Sequence, residues 1–251
     1  PTFLDELLLR TPSIAVNESR SMTVRMANLA RTSVLQAVSL FDTFDHKAAD
    51  QILENESTLD WFEDQLGTYL LKLSGKELSD ADSRQVSKIF LTIGDFERLG
   101  DHAVNLAKTA RELFDKRLQF SAEAQHEVSV LTKALSEILE LAIVSFAKEN
   151  VEMASKVEPL SQAMSVIISQ IRPRHVERLQ KGECTIEKGF IYSDLLSNYA
   201  RVFDHCSNIA AATIGATLDN FDTHEYLDKV KSQDNPNFTE LYHAYLKQYA
   251  V

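Results

Sequence analysis

The chain has 251 residues, enough for one large domain or two small ones around a real core. It carries 26 Lys and Arg against 37 Asp and Glu, a formal net charge of −11, and 44% hydrophobic residues. That balance reads as soluble and globular, argues against a nucleic-acid partner, which needs a basic face, and suits metal cations. With only 7 Gly and 5 Pro, long uninterrupted elements are expected. Cys184 and Cys206 are too few for a disulfide framework, which points to a reducing compartment. No apolar run approaches the roughly 18–20 residues of a membrane helix.

Residues 1–14 read as an apolar connecting arm. From 14 to 44 apolar residues recur at three and four (Met22, Met26, Leu29, Val34, Ala37, Leu40, Phe41), one face of a long amphipathic helix. Asp45 N-caps a second helix that runs to about residue 73 and closes at Ser74-Gly75. Ser79, with Asp80 and Asp82 in the first turn, opens a third that reaches about residue 117. Ser121 opens a fourth, to about 148, and Asn150 caps a fifth that continues to about 180. The last long helix spans about 190–218. Gly67 and Pro173 fall at nearly corresponding levels of the second and fifth helices, so both are expected to bend or soften there. The tail from 220 is polar, and Pro236 precedes a short helix over 239–249 that packs back on a bundle.

The chain repeats itself. Glu97-Arg98-Leu99-Gly100-Asp101-His102-Ala103-Val104-Asn105 is answered by Ala200-Arg201-Val202-Phe203-Asp204-His205-Cys206-Ser207-Asn208, with Asp204 standing 103 residues after Asp101. The caps Asp45 and Asn150, like Phe41 and Phe146, lie 105 apart. One unit built twice predicts an all-α fold of six long helices in two tandem three-helix bundles, over 15–118 and 119–219, followed by a tail at 220–251.

The chemistry rests on paired acids. Glu56 and Asp60 on the second helix, and Glu97 and Asp101 on the third, are four apart and so share a helix face. Brought together on antiparallel helices they repel by a few kcal/mol per pair, which a bound cation or a proton relieves. All-carboxylate donors suit magnesium, calcium, manganese or iron; zinc is expected to want His or Cys as well. The same spacing is also common on plain solvated helices. His102 and His205 follow their aspartates and point about 100° away around the helix, as buried or capping partners. Asn105 and Asn208 read as interhelical hydrogen-bonders, and Arg98 and Arg201 as partners of neighbouring carboxylates. Glu123 and His126 form a single E-x-x-H, where carboxylate-bridged di-iron bundles need two.

The two E-x-x-x-D pairs, and the run from Glu97 to Asn105 within six duplicated helices, resemble the PhoU family of phosphate-uptake regulators. The arm Phe3-Leu4-Asp5 to Ala15 and the tail Phe221-Asp222-Thr223-His224-Glu225-Tyr226-Leu227 are similar to the PhoU-like C-terminal region of bacterial sodium/phosphate cotransporters. The resemblance implies a non-catalytic regulator that binds iron, zinc or magnesium through Glu56, Asp60, Glu97 and Asp101. The expected partner is a transmembrane portion in the same polypeptide at the cytoplasmic face of the inner membrane, and a homodimer is a further possibility. The second repeat departs from the pattern: Ser161, Ser165 and Ala200 stand where acids would, so only Asp204 remains for a weaker site. Alternatives are a stand-alone phosphate-signalling adaptor, a carboxylate-bridged metal enzyme of ferritin-like type, and a helical scaffold without metal.

Overall fold

The computed structural model describes residues 4–218 and 236–251. Among them there is no strand. After a 3-10 segment, Glu6–Arg10, the helices are α1 (Pro12–Ser39), α2 (His46–Ser74), α3 (Asp80–Asp115), α4 (Ala122–Lys148), α5 (Val151–Ala154), α6 (Val157–Gln180), α7 (Ile186–Leu218) and α8 (Pro236–Gln248). No helix among the described residues is long and apolar enough to cross a membrane.

The expected caps hold the helix starts. Asp45 accepts from the Lys47 N–H at 2.9 Å, Ser79 from Asp82 at 3.1 Å, Ser121 from Ala124 at 3.2 Å and Asn150 from Met153 at 3.0 Å. Five boundaries differ from the sequence reading, one of them the start of α8 at Pro236 rather than 239. α1 starts two residues early with Pro12 in its first turn, where a missing N–H costs nothing. It also stops at Ser39, and residues 40–43 turn with i→i−3 bonds such as Phe41 N–H to the Val38 carbonyl, 3.3 Å. The fifth predicted helix is two, α5 and α6. Pro159, third in α6, has no N–H for the Ser155 carbonyl and its ring crowds that group, so the chain turns at 155–156. α6 runs on through Pro173, and α2 through Gly67. α7 begins at Ile186 because the Thr185 hydroxyl accepts from the Lys188 N–H at 3.2 Å, a cap the apolar pattern did not reveal.

Helices α1–α3 pack on one another, as do α4, α6 and α7, and the long α3 and α7 join the two groups through one continuous core. Burial repeats with the sequence. Buried Met26, Ala30, Val34 and Ala37 of α1 recur as Leu131, Leu135, Leu139 and Ala142 of α4. Ile89, Phe96, Leu99 and Ala103 of α3 recur as Tyr192, Tyr199, Val202 and Cys206 of α7. The N-terminal arm packs rather than dangles: the Tyr69 hydroxyl donates to the Asp5 carbonyl at 2.9 Å, and Lys72 pairs with Glu6. At the matching level of the second repeat, Arg174 donates to the Val251 carbonyl at 3.3 Å, and buried Tyr245 and Tyr249 seat α8 beside α6. Each group of helices is thus covered by one end of the chain. The tail segment 221–227 lies outside the described residues.

Candidate metal centre

Helices α2 and α3 pack tightly where Leu59 meets Gly100, both buried. A Cβ on Gly100 would stand 2.5 Å from Leu59 Cδ1, so any larger residue here requires the buried Leu59 side chain to move. One turn or less on either side lie the acids. Oxygens of Glu56, Glu97 and Asp101 come within 4.8 Å of one another, each side chain half-buried. Burial first, then the charge of Asp101 with those of Glu63 and Asp60, push the Glu97 carboxyl up to about 7; a hydrogen bond with Asp101 adds to the shift. In the ion-free cluster the Glu97 carboxyl therefore keeps its proton up to about neutral pH, hydrogen-bonded with Asp101.

Asp60, the fourth expected ligand, is exposed and stands outside this trio, acting through its charge on Glu97 and Glu63. Glu63 escaped the sequence reading. Its carboxyl is raised by burial and by Asp60, Asp64 and Asp101, while Arg98 lowers it. Its signal was available: 56, 60 and 63 follow the i, i+4, i+7 rhythm of one helix face. The trio offers hard oxygen donors and no nitrogen or sulfur, which fits magnesium, manganese or iron better than zinc.

The second repeat forms no such cluster among the described residues. Ser161 is buried, Ser165 exposed and Ala200 half-buried, and Asp204 points to solvent. His102, His205, Asn105 and Asn208 all take part in a clasp between α3 and α7. Asn198 Oδ1 stands 2.9 Å from His102 Nδ1 and accepts from Asn105 at 3.4 Å; Asp95 Oδ1 stands 2.9 Å from His205 Nδ1 and accepts from Asn208 at 3.2 Å. Asp95 and Asn198 are themselves 103 apart, so the clasp is a pseudo-two-fold pair of corresponding grips. Neither grip's receiving residue was foreseen. Arg98 and Arg201 are exposed and form no ion pair among the described residues, though the charge of Arg98 still acts on the neighbouring Glu63 carboxylate.

Glu123 and His126 do not assemble a metal element either. Glu123 lies 3.6 Å from Arg178, and His126 is exposed on a surface cavity. Cys206 is buried and burial raises its thiol far above the reactive range.

The PhoU domain family matches residues 23–110 and 128–213. The chain belongs to this family. The PhoU match starts 105 residues apart in the two repeats and ends 103 apart, the same offsets as the core and the clasp. Among curated relatives, the phosphate-specific transport system accessory protein PhoU homolog 1 of Thermotoga maritima is 21% identical over 196 residues, 78% of this chain and 84% of that protein. The PhoU homolog of Aquifex aeolicus is 19% identical over 187 residues, 74% and 83% of the two chains. Crystal structures of PhoU from Pseudomonas aeruginosa and of the regulatory protein PhoU from Streptococcus pneumoniae superpose with TM-scores of 0.76 and 0.73. They share 20% and 17% identity and cover 81% and 84% of this chain, and 97% and 98% of their own, which shows a shared PhoU fold.

Proposed function

We propose that the chain is a non-catalytic PhoU-type regulator of phosphate uptake that acts on a phosphate transport system as an accessory protein. The observation that carries this reading is the match of both repeats to the PhoU domain, over most of the length of relatives named as transport accessory proteins. Those relatives favour an accessory protein over the cotransporter segment that the arm and tail resemble. Its place of action is then the cytoplasmic face of the membrane that holds the transporter.

The acid trio supplies the regulatory handle. A hard divalent or ferric cation on Glu56, Glu97 and Asp101 would tie α2 to α3, and α3 also carries the clasp to the second repeat. Binding on one face of α3 therefore reaches the contact that sets how the repeats sit. The test is phosphate uptake in cells lacking the chain, with and without the intact gene restored. Uptake that stops responding to phosphate supply, and recovers with the gene, supports the reading; an unchanged response overturns it.

A further inference from the structure

The join between the repeats leaves one buried ring nitrogen idle. His205 is 6% exposed, and its Nε2 has no hydrogen-bond partner among the described residues. Buried polar atoms in folded chains are nearly always paired, so an idle one points to a missing ligand.

The opposite nitrogen of each ring fixes what Nε2 offers. The Asp95 carboxylate accepts only, so His205 Nδ1, 2.9 Å away, carries a proton, and in the neutral ring Nε2 is a lone pair. His102 is set the same way. Asn198 donates its amide N–H to the Asp194 carbonyl at 2.9 Å, which leaves Oδ1 to accept from His102 Nδ1 at 2.9 Å. Histidines that ligate metals are held like this, one ring N–H given to a carboxylate or carbonyl oxygen and the other nitrogen free.

The spacing fits a single ion. The two ring centres lie 5.4 Å apart with their planes inclined at 34°. Two imidazoles on one tetrahedral zinc, each nitrogen about 2.1 Å from it, put their ring centres about 5 Å apart. The duplication adds an independent sign. Ser161, Ser165 and Ala200 replace the acids of the first repeat, yet His205 still answers His102, and each ring is gripped at Nδ1.

We propose that His102 and His205 together bind one transition-metal cation of the zinc class through their Nε2 atoms, at the pseudo-two-fold between α3 and α7. Imidazole nitrogen suits zinc, nickel or copper, whereas the acid trio suits harder ions, so the two sites sort cations by donor type. Water completes the coordination, because no third His, Cys, Asp or Glu joins the pair among the described residues. His102 is only half-buried, which gives the ion a way in. Arg201 sets a like charge near His102 and Asp101 an opposite one, so neither sign dominates the approach. The bound ion ties one repeat to the other, and its binding does not depend on the regulatory reading above.

The experiment is calorimetric titration of metal-stripped protein with zinc, in a Glu97→Gln, Asp101→Asn background that removes the acid trio. One zinc per chain is expected to bind there, with no saturable heat from magnesium. Adding His102→Gln is expected to weaken zinc roughly tenfold or more, and Asp95→Asn, which keeps both ligands but alters the grip on His205, about tenfold. A second readout needs no further substitution: in the same background, zinc is expected to shift the ring-proton NMR signals of His102 and His205 together. The inference is overturned if zinc does not saturate, if His102→Gln leaves its affinity unchanged, or if zinc shifts the signals of other histidines and not these two.

Discussion

His102 and His205 lie 5.4 Å apart, ring centre to ring centre, and each is held by a residue of the opposite repeat. They sit at the pseudo-two-fold between α3 and α7, so the motif that repeats in the sequence is the one that joins its two copies. The grips differ in one respect: Asp95 receives His205, whereas neutral Asn198 receives His102.

Removing one grip should loosen the join. Asp95→Ala leaves His205 Nδ1 and Asn208 Nδ2 without their acceptor in a largely buried contact, at a cost of about 1–3 kcal/mol. Asn198→Ala should cost the same order or less, because its site is more open. Urea unfolding of the two variants measures both.

The second repeat carries a buried ion pair that the first lacks. Arg178 donates twice to Glu127, at 2.7 and 3.3 Å, and the Tyr192 hydroxyl donates to the same carboxylate at 2.7 Å. At the matching position the first repeat has Met22. Glu127→Ala strands a buried guanidinium and is expected to cost roughly 3–5 kcal/mol, while Glu127→Met with Arg178→Met restores most of the loss. Thermal melts of the single and double variants decide this.

Gly100→Ala should separate α2 from α3. The added Cβ meets Leu59 Cδ1 at 2.5 Å, an overlap costing about 1–3 kcal/mol. Because the acids flank this contact, cation affinity is expected to fall with it. Pairing Gly100→Ala with Leu59→Val should recover part of both losses.

Much of this was legible in advance, for local reasons. Asp45, Ser79, Ser121 and Asn150 cap helices through bonds to their own next residues, so their meaning is written within four positions. Paired acids at i, i+4 likewise announce one helix face. What stayed hidden depends on contacts distant in sequence. Nothing near Asp95 reveals that it meets His205, and nothing near Lys88 marks it as a plug for α4. Pro159 broke the fifth helix although Pro173 did not, because Pro159 follows a start that Asn150 had already capped, leaving room for a turn.

Proton and cation should compete at Glu97. Its folded carboxyl titrates at about 7 against an ordinary 4.5, so the folded state holds more protons between those values. The stability this contributes is fully present below about 4.5 and is lost as pH rises through 7. Glu97→Gln should flatten that part of the profile in metal-free protein. A tightly bound cation should reverse its slope, since the ion requires the ionised form.

The most direct measurement is calorimetric titration of metal-stripped protein with manganese at pH 8, comparing three chains: the native one, Glu97→Gln with Asp101→Asn, and Asp204→Asn. Saturable binding that is lost in the Glu97 and Asp101 variant and unchanged in Asp204→Asn is the result expected of a cation held between α2 and α3 of the first repeat. Equal binding in all three, or binding lost only with Asp204, would contradict it.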